Sequence, residues 1–240
     1  FSVARDNSSL YDPYWSLAPL PMAVYWSLSD GAIGLRDALV LLAVLAWGAR
    51  LTWSCLARWR SLEHEDFRYR EIRARTGRLY WPASLVAIHL APTAWVFLGL
   101  LPLYPALAAP VRPLGWLDLA AAAVTLGGAA LEAAADHQLR RFLAARADPA
   151  AVLEGGLWAL SRHPNYLGEI LFWWGLFLFG LAADPGQAWT AAGAISITAL
   201  FAFVSVPWMD RRMLARHPAW AERMRRVPAL LPWPRRAARS

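Results

Sequence analysis

Six apolar stretches follow one another along the chain, and this succession restricts the fold more than any other feature. A helix that crosses the hydrocarbon core of a bilayer needs about 20 mostly apolar residues. Six such stretches with short connections predict an all-α integral membrane protein, a multi-helix transmembrane bundle. The first stretch is short and is interrupted by three prolines. The predicted spans lie near residues 12–29, 36–57, 80–104, 114–139, 166–183 and 188–208.

The composition agrees with the membrane class, since 58% of the 240 residues are apolar. A single cysteine excludes an internal disulfide. The chain begins at Phe1 rather than at a methionine, so we expect the numbering to start inside a longer protein. No linker or repeat divides the sequence, which predicts one transmembrane domain over residues 1–240. The pattern does not predict an oligomeric state or a metal site.

The distribution of arginines predicts the orientation in the membrane. The chain has a net charge of +7 and no lysine, and its arginines concentrate in alternate connections. Basic short loops stay on the cytoplasmic side. We therefore expect loops 58–79 and 140–165 and the tail 209–240 to be cytoplasmic. This placement favours topology over nucleic-acid binding as the reason for the basic charge.

Polar residues at the ends of the spans are candidates for function, because ionisable groups inside a membrane are costly and face a cavity or a partner. Asp12 opens the first span and follows Tyr11. An aspartate before a proline also caps a helix, and one residue can serve both purposes. On the fourth span, Glu132 and Asp136 share one helix face with Arg140. The alternative there is an exposed Asp136–Arg140 ion pair, worth about 0.3–0.5 kcal/mol.

The stretch SRHPNYLGE at residues 161–169 places polar groups in the first turns of an apolar helix. Arg162 and His163 precede the helix, whose first N–H groups form a ready site for a phosphate. Asn165 and Glu169 share a face, and Tyr166 lies beside them. An interfacial cap with snorkelling side chains is the alternative. In the tail, Arg211 and Arg212 are candidates for ligand binding or for an amphipathic segment on anionic lipid.

These motifs, together with NSSLYDPYWSLAP, EAAADHQLRRF and MDRRMLARHPAW, resemble the steroid 5α-reductase C-terminal-like family, and within it the bacterial DUF1295 branch. Sterol C14 reductases and isoprenylcysteine carboxyl methyltransferases are related. The resemblance implies a seven-helix bundle, of which this chain holds six spans. It also implies a bacterial inner membrane, with the cofactor site facing the cytoplasm. It implies NADPH contacts at Glu132, Asp136, Arg162, His163, Asn165, Tyr166, Glu169, Arg211 and Arg212.

On the substrate side, the resemblance aligns Tyr11 and Asp12 with a Gln–Glu pair that holds the carbonyl group of an enone in the steroid reductases. It aligns Trp47 with a tyrosine, and an indole donates a hydrogen bond but does not supply a proton near neutral pH. The acid role then falls to Tyr11, Tyr14 or a protonated Asp12.

Two functions from different classes follow. The first is an NADPH-dependent reductase of a carbon–carbon double bond in a hydrophobic, steroid-like or other enone lipid that enters from the bilayer. The alternative is a methyltransferase that uses S-adenosylmethionine on a membrane-bound acceptor. Two adjacent arginines suit the phosphates of NADPH better than the zwitterionic tail of S-adenosylmethionine.

Overall fold

The computed structural model describes residues 2–29, 31, 33–57 and 65–232. All regular structure in these ranges is helical, which confirms the predicted all-α class. The helices are α1 (Asp12–Leu17), α2 (Pro19–Ser27), α3 (Leu35–Leu56), α4 (Phe67–Thr76), α5 (residues 80–100), α6 (Trp116–Ala145), α7 (Leu157–Leu160), α8 (Pro164–Ala183), α9 (residues 191–216) and α10 (Trp220–Arg226). Helices α5 and α9 each contain a π-helical segment, Leu85–Leu90 and Phe201–Ser205.

Five helical stretches in the described residues are long and apolar enough to cross a membrane. They correspond to the second through sixth predicted spans, so the chain is an integral membrane protein. Their bounds are Leu35–Leu56, Phe67–Ala108, Trp116–Ala145, Pro164–Ala183 and Pro185–Arg216. The second of them begins with the arginine-rich α4, which ends at Thr76 and is followed by Gly77, a glycine with a positive φ of 52°.

The first predicted span, 12–29, differs from the expectation. It forms two short helices of six and nine residues, joined at Ala18, whose own backbone is helical. Pro19 and Pro21 lack the N–H groups that would continue the helical ladder, and the pair is shorter than the roughly 20 residues that a span requires. The described residues therefore hold five helical stretches long enough to span a membrane, where six spans were predicted.

Contacts divide the chain into two compact units. Unit 1 comprises Phe1–Ala122 and Leu176–Gly193. In it α1 and α2 pack on α3, and a Cβ on Gly48 would lie 2.6 Å from the carbonyl oxygen of Ser16. The buried side chains of Arg36 and Asp118 form an ion pair, with Nε and Oδ1 2.6 Å apart. The expectation of a single domain stays a prediction.

Unit 2 comprises Ala123–Gly175 and Ala194–Ser240, and its structure is described to residue 232. Its central feature is a close contact between α6 and α8. A Cβ on Gly168 would lie 2.6 Å from the carbonyl oxygen of Gly128, and a Cβ on Gly128 would lie 2.7 Å from that of Gly168. Glycine pairs of this kind let two membrane helices approach through their backbones.

Candidate functional site

The glycine contact in unit 2 determines which polar side chains meet. A Cβ on Gly168 would lie 2.8 Å from the backbone nitrogen of Glu132, so this buried glutamate lies directly against α8. One turn further along α6, Asp136 accepts a hydrogen bond from Asn165 Nδ2 at 3.5 Å. On α8, Glu169 accepts a bond from the indole of Trp173 at 2.9 Å. The cluster of Glu132, Asp136, Asn165 and Glu169 is called the carboxylate cluster below.

Within the carboxylate cluster, the carbonyl oxygen of Asn165 has no donor. This Oδ1 atom is buried and has no hydrogen-bond partner among the described residues. An ionised carboxylate only accepts hydrogen bonds, so the amide nitrogen rather than the carbonyl oxygen faces Asp136. A buried acceptor without a donor costs about 1–3 kcal/mol. The carbonyl of Asn165 is therefore free to accept a bond from a hydroxyl or amide group of a ligand.

Arg162 and His163 bind Asp210, which lies near the end of α9. Arg162 donates from Nη2 to Asp210 Oδ2 at 2.7 Å, and His163 Nε2 lies 3.0 Å from Asp210 Oδ1. The indole of Trp220 donates to the same carboxylate at 2.9 Å. All four side chains are buried, with exposed fractions of 3–4%. A buried charge requires such partners. We call the four hydrogen-bonded residues Arg162, His163, Asp210 and Trp220 the Asp210 cluster.

The Asp210 cluster also fixes the chain that follows α10. Arg162 Nη1 donates to the carbonyl of Val227 at 2.6 Å. The backbone N–H groups of Arg162 and His163 donate to the carbonyls of Pro228 and Ala229 at 2.9 and 3.1 Å. The Arg-His pair thus holds residues 227–229 through both its backbone and its side chains.

The expected phosphate contacts of Arg162 and His163 stay a prediction, and in this structure their donors go to protein acceptors. Two N–H groups in the first turn of α8 also have protein acceptors, because those of Tyr166 and Leu167 donate to the His163 carbonyl at 3.1 and 3.2 Å. The ring of Tyr166 stacks on that of His163 with centroids 5.2 Å apart. Arg211 is exposed and Arg212 is half-buried, directly after Asp210.

Sequence reasoning missed three residues of this region: Asp210 as the acceptor of the cluster, Trp220 as its indole donor, and Arg223. Arg223 is buried and donates to the carbonyl of Trp158. Burial lowers the pKa of Arg223 below its ordinary value. A signal was present for Asp210, a lone carboxylate between an apolar span and two arginines, but its partners lie 47 and 48 positions away.

In unit 1, Asp12 accepts a hydrogen bond from the hydroxyl of Tyr69, a buried residue of α4. The Tyr11 hydroxyl is instead hydrogen-bonded to Thr93, and its ring lies 4.6 Å from that of His89. Trp47 is buried in α3 with 2% exposure. The structure thus pairs Asp12 with a tyrosine that the sequence did not single out. The roles expected for Asp12, Tyr11 and Trp47 stay predictions.

A polar network holds the Asp12–Tyr69 pair between fixed elements. Glu65 accepts bonds from the Ser8 backbone nitrogen at 3.1 Å and from the Tyr80 hydroxyl at 2.8 Å. The Asp66 backbone nitrogen donates to the hydroxyl of Ser9 at 2.7 Å. The segment before Asp12 and the start of α4 are therefore bound to each other, which limits the movement of both members of the pair.

These features define a helical integral membrane protein with buried polar clusters in both units. The chain belongs to the DUF1295 family, described as a protein of unknown function, whose sequence profile matches residues 1–227. It is similar to a fission yeast protein, the uncharacterized protein C594.04c of Schizosaccharomyces pombe, with 26% identity over 225 residues. The similarity covers 83% of this chain and 65% of that relative. No solved structure matches the chain.

Proposed function

We propose that this protein is an NADPH-dependent membrane reductase that saturates a carbon–carbon double bond conjugated to a carbonyl group in a lipid. The observation that carries the proposal is the buried Asn165 carbonyl without a donor in the carboxylate cluster. Ribose hydroxyls and the nicotinamide carboxamide are donors that suit this acceptor and its neighbouring carboxylates. Arg211 and Arg212 then supply the charge that the phosphates require.

In this proposal Arg162 and His163 are positioning residues. They fix the start of α8, and with it the carboxylate cluster, through their bonds to Asp210. The distribution of arginines favours a cytoplasmic location for the cofactor.

Bound NADPH supplies a hydride, which adds to the β-carbon of the conjugated lipid. Negative charge then develops on the carbonyl oxygen, and a hydrogen-bond donor at that oxygen stabilises it. Tyr69 holds a proton at Oη beside the Asp12 carboxylate. We assign this pair to the carbonyl end of the substrate, where the Tyr69 hydroxyl would donate a hydrogen bond to the developing enolate oxygen. A proton from water would then add to the α-carbon and restore the carbonyl group, so that one hydride and one proton saturate the double bond.

Ligand-induced thermal stabilisation tests the cofactor assignment. A ligand that binds only the folded state stabilises it by about 2.7 kcal/mol at a hundredfold excess over Kd. In detergent, NADPH should raise the melting temperature of the wild-type protein, and S-adenosylmethionine should not. Asn165→Ala should reduce the NADPH shift. His137→Ala, at an exposed position of α6 next to Asp136, is the matched control and should keep it.

The opposite pattern would overturn the assignment. A shift with S-adenosylmethionine alone would favour the methyltransferase. An NADPH shift that is equal in wild type and Asn165→Ala would place the cofactor elsewhere.

A further inference from the structure

The structure contains an apolar groove in unit 1, along the contact of α1 and α2 with α3. Its volume is about 260 Å³, just below the roughly 300–1,000 Å³ of sites that enclose drug-sized ligands. Apolar side chains dominate its lining, which includes Leu17, Leu20, Val44, Leu45, Trp53 and Leu56. A volume below that of sites for drug-sized ligands suits a single hydrocarbon chain better than a fused ring system.

The two hydroxyl groups that line the groove are already satisfied. Ser16 Oγ donates to the carbonyl of Pro13 at 3.0 Å and lies 2.8 Å from Thr52 Oγ1. Neither hydroxyl therefore requires a polar partner from a ligand or from water. Because α3 is one of the five helical stretches long and apolar enough to cross a membrane, its apolar groove fits a hydrocarbon chain.

The groove begins close to the Asp12–Tyr69 pair. Asp12, Ser16 and Leu20 follow one another at i, i+4 and i+8 in a backbone that remains helical through Ala18, so they share one face. Ser16 and Leu20 line the groove. A molecule that lies in the groove therefore extends along the helix towards Asp12.

A second observation concerns Trp15, which lies one helical turn after Asp12. The indole Nε1 of Trp15 is buried and has no hydrogen-bond partner in the part of the chain that the structure describes. Trp15 and Ser16 both lie one helical turn after Asp12, at positions i+3 and i+4. A buried N–H without an acceptor is costly, and the carbonyl oxygen of a ligand would satisfy it.

We infer that the lipid substrate is a linear amphiphile, an acyl or polyprenyl chain with a carbonyl head group. Its chain lies in the groove, and its carbonyl oxygen lies at Trp15 and the Asp12–Tyr69 pair. This inference rests on the proposed function, since it specifies the substrate class of that reductase. It excludes a rigid four-ring sterol as the preferred ligand of the groove.

Photolabelling in phosphatidylcholine nanodiscs, without NADPH, tests the inference. The probe is a long-chain enone with a photoreactive diazirine near the end of its chain. We expect labelled peptides from residues 44–56, competed by the unlabelled linear enone. Ala49→Phe places a ring in the groove and should weaken labelling about tenfold. Ala46→Phe is the matched control on α3, since Ala46 is also exposed but does not line the groove.

Three outcomes would overturn the inference. They are equal labelling of Ala49→Phe and wild type, stronger labelling by a photoreactive sterol than by the linear probe, and equal competition by an alkane that lacks the carbonyl group. Trp15→Phe should weaken competition by the enone without changing competition by the alkane. Labelling needs no cofactor, so its result is independent of the NADPH-induced shift in melting temperature. Specific labelling without that shift would reject the proposed reductase but would still support lipid binding in the groove.

Discussion

Three buried side chains of unit 2 donate hydrogen bonds to Asp210. Its carboxylate accepts bonds from Arg162, His163 and Trp220. The sequence identified Arg162 and His163 as functional candidates because charge at the start of an apolar helix needs a reason. It could not identify the partner, since no local spacing links residues 48 positions apart. Tyr69 was missed for the same reason, because 57 positions separate it from Asp12.

Asp210→Asn should destabilise the protein strongly. The variant keeps the volume of the side chain but leaves the buried Arg162 without its counter-charge, and breaking a buried ion pair costs about 3–5 kcal/mol. The measurement is the melting temperature in detergent. Glu222→Gln is the control: Glu222 pairs with Arg225 and Arg226, and exposed pairs of this kind contribute little. Equal melting temperatures for Asp210→Asn and wild type would contradict the structural role of the cluster.

At the scale of helices, the length of the apolar stretches was enough to predict five spans, because a run of about 20 apolar residues is typical of a transmembrane helix. Proline chemistry explains the broken first span, which length alone did not reveal. The contact of α6 and α8 was not predictable. Gly127 and Gly128 are adjacent in the sequence, and only the structure shows that Gly128 faces α8 while a Cβ on Gly127 would meet nothing within 4 Å.

Gly168→Ala should separate α6 from α8. The added methyl group would lie 2.6 Å from a backbone oxygen, and overpacking of this kind costs about 1–3 kcal/mol. Because the same contact assembles the carboxylate cluster, the NADPH-induced shift should also fall. Gly127→Ala, on the same helix as Gly128, should preserve both stability and shift. Similar behaviour of the two variants would show that the glycine contact does not support the cluster.

At the scale of the whole molecule, the distribution of arginines predicts the orientation in the membrane. The arginines concentrate in the connections and tail predicted to be cytoplasmic, and this bias indicates which side is cytoplasmic, which helix packing alone does not. The sequence therefore predicts the orientation without any knowledge of contacts. The division into two units, in contrast, depends on contacts between distant segments, such as Ala123–Gly175 with Ala194–Ser240, and no compositional boundary marks it.

Labelling of single cysteines tests the orientation. In a Cys55→Ala background, we expect Val111→Cys to react with a membrane-impermeant maleimide added to spheroplasts. Ala147→Cys, in the connection beyond the other end of α6, should react only after permeabilisation. Both positions are exposed in the structure. The reverse pattern would place the arginine-rich connections outside the cell and contradict the cytoplasmic cofactor site.

Hydride transfer from NADPH to a lipid is the proposed reaction, and transfer of an isotope label measures it. The protein in nanodiscs is incubated with a bacterial lipid extract and NADPH that carries deuterium at both C4 positions of the nicotinamide. We predict a lipid product with one deuterium and one added proton, seen by mass spectrometry and absent with Asp12→Asn and Asn165→Ala. Lipids that gain a methyl group from added S-adenosylmethionine, with no deuterium transfer, would contradict the claim.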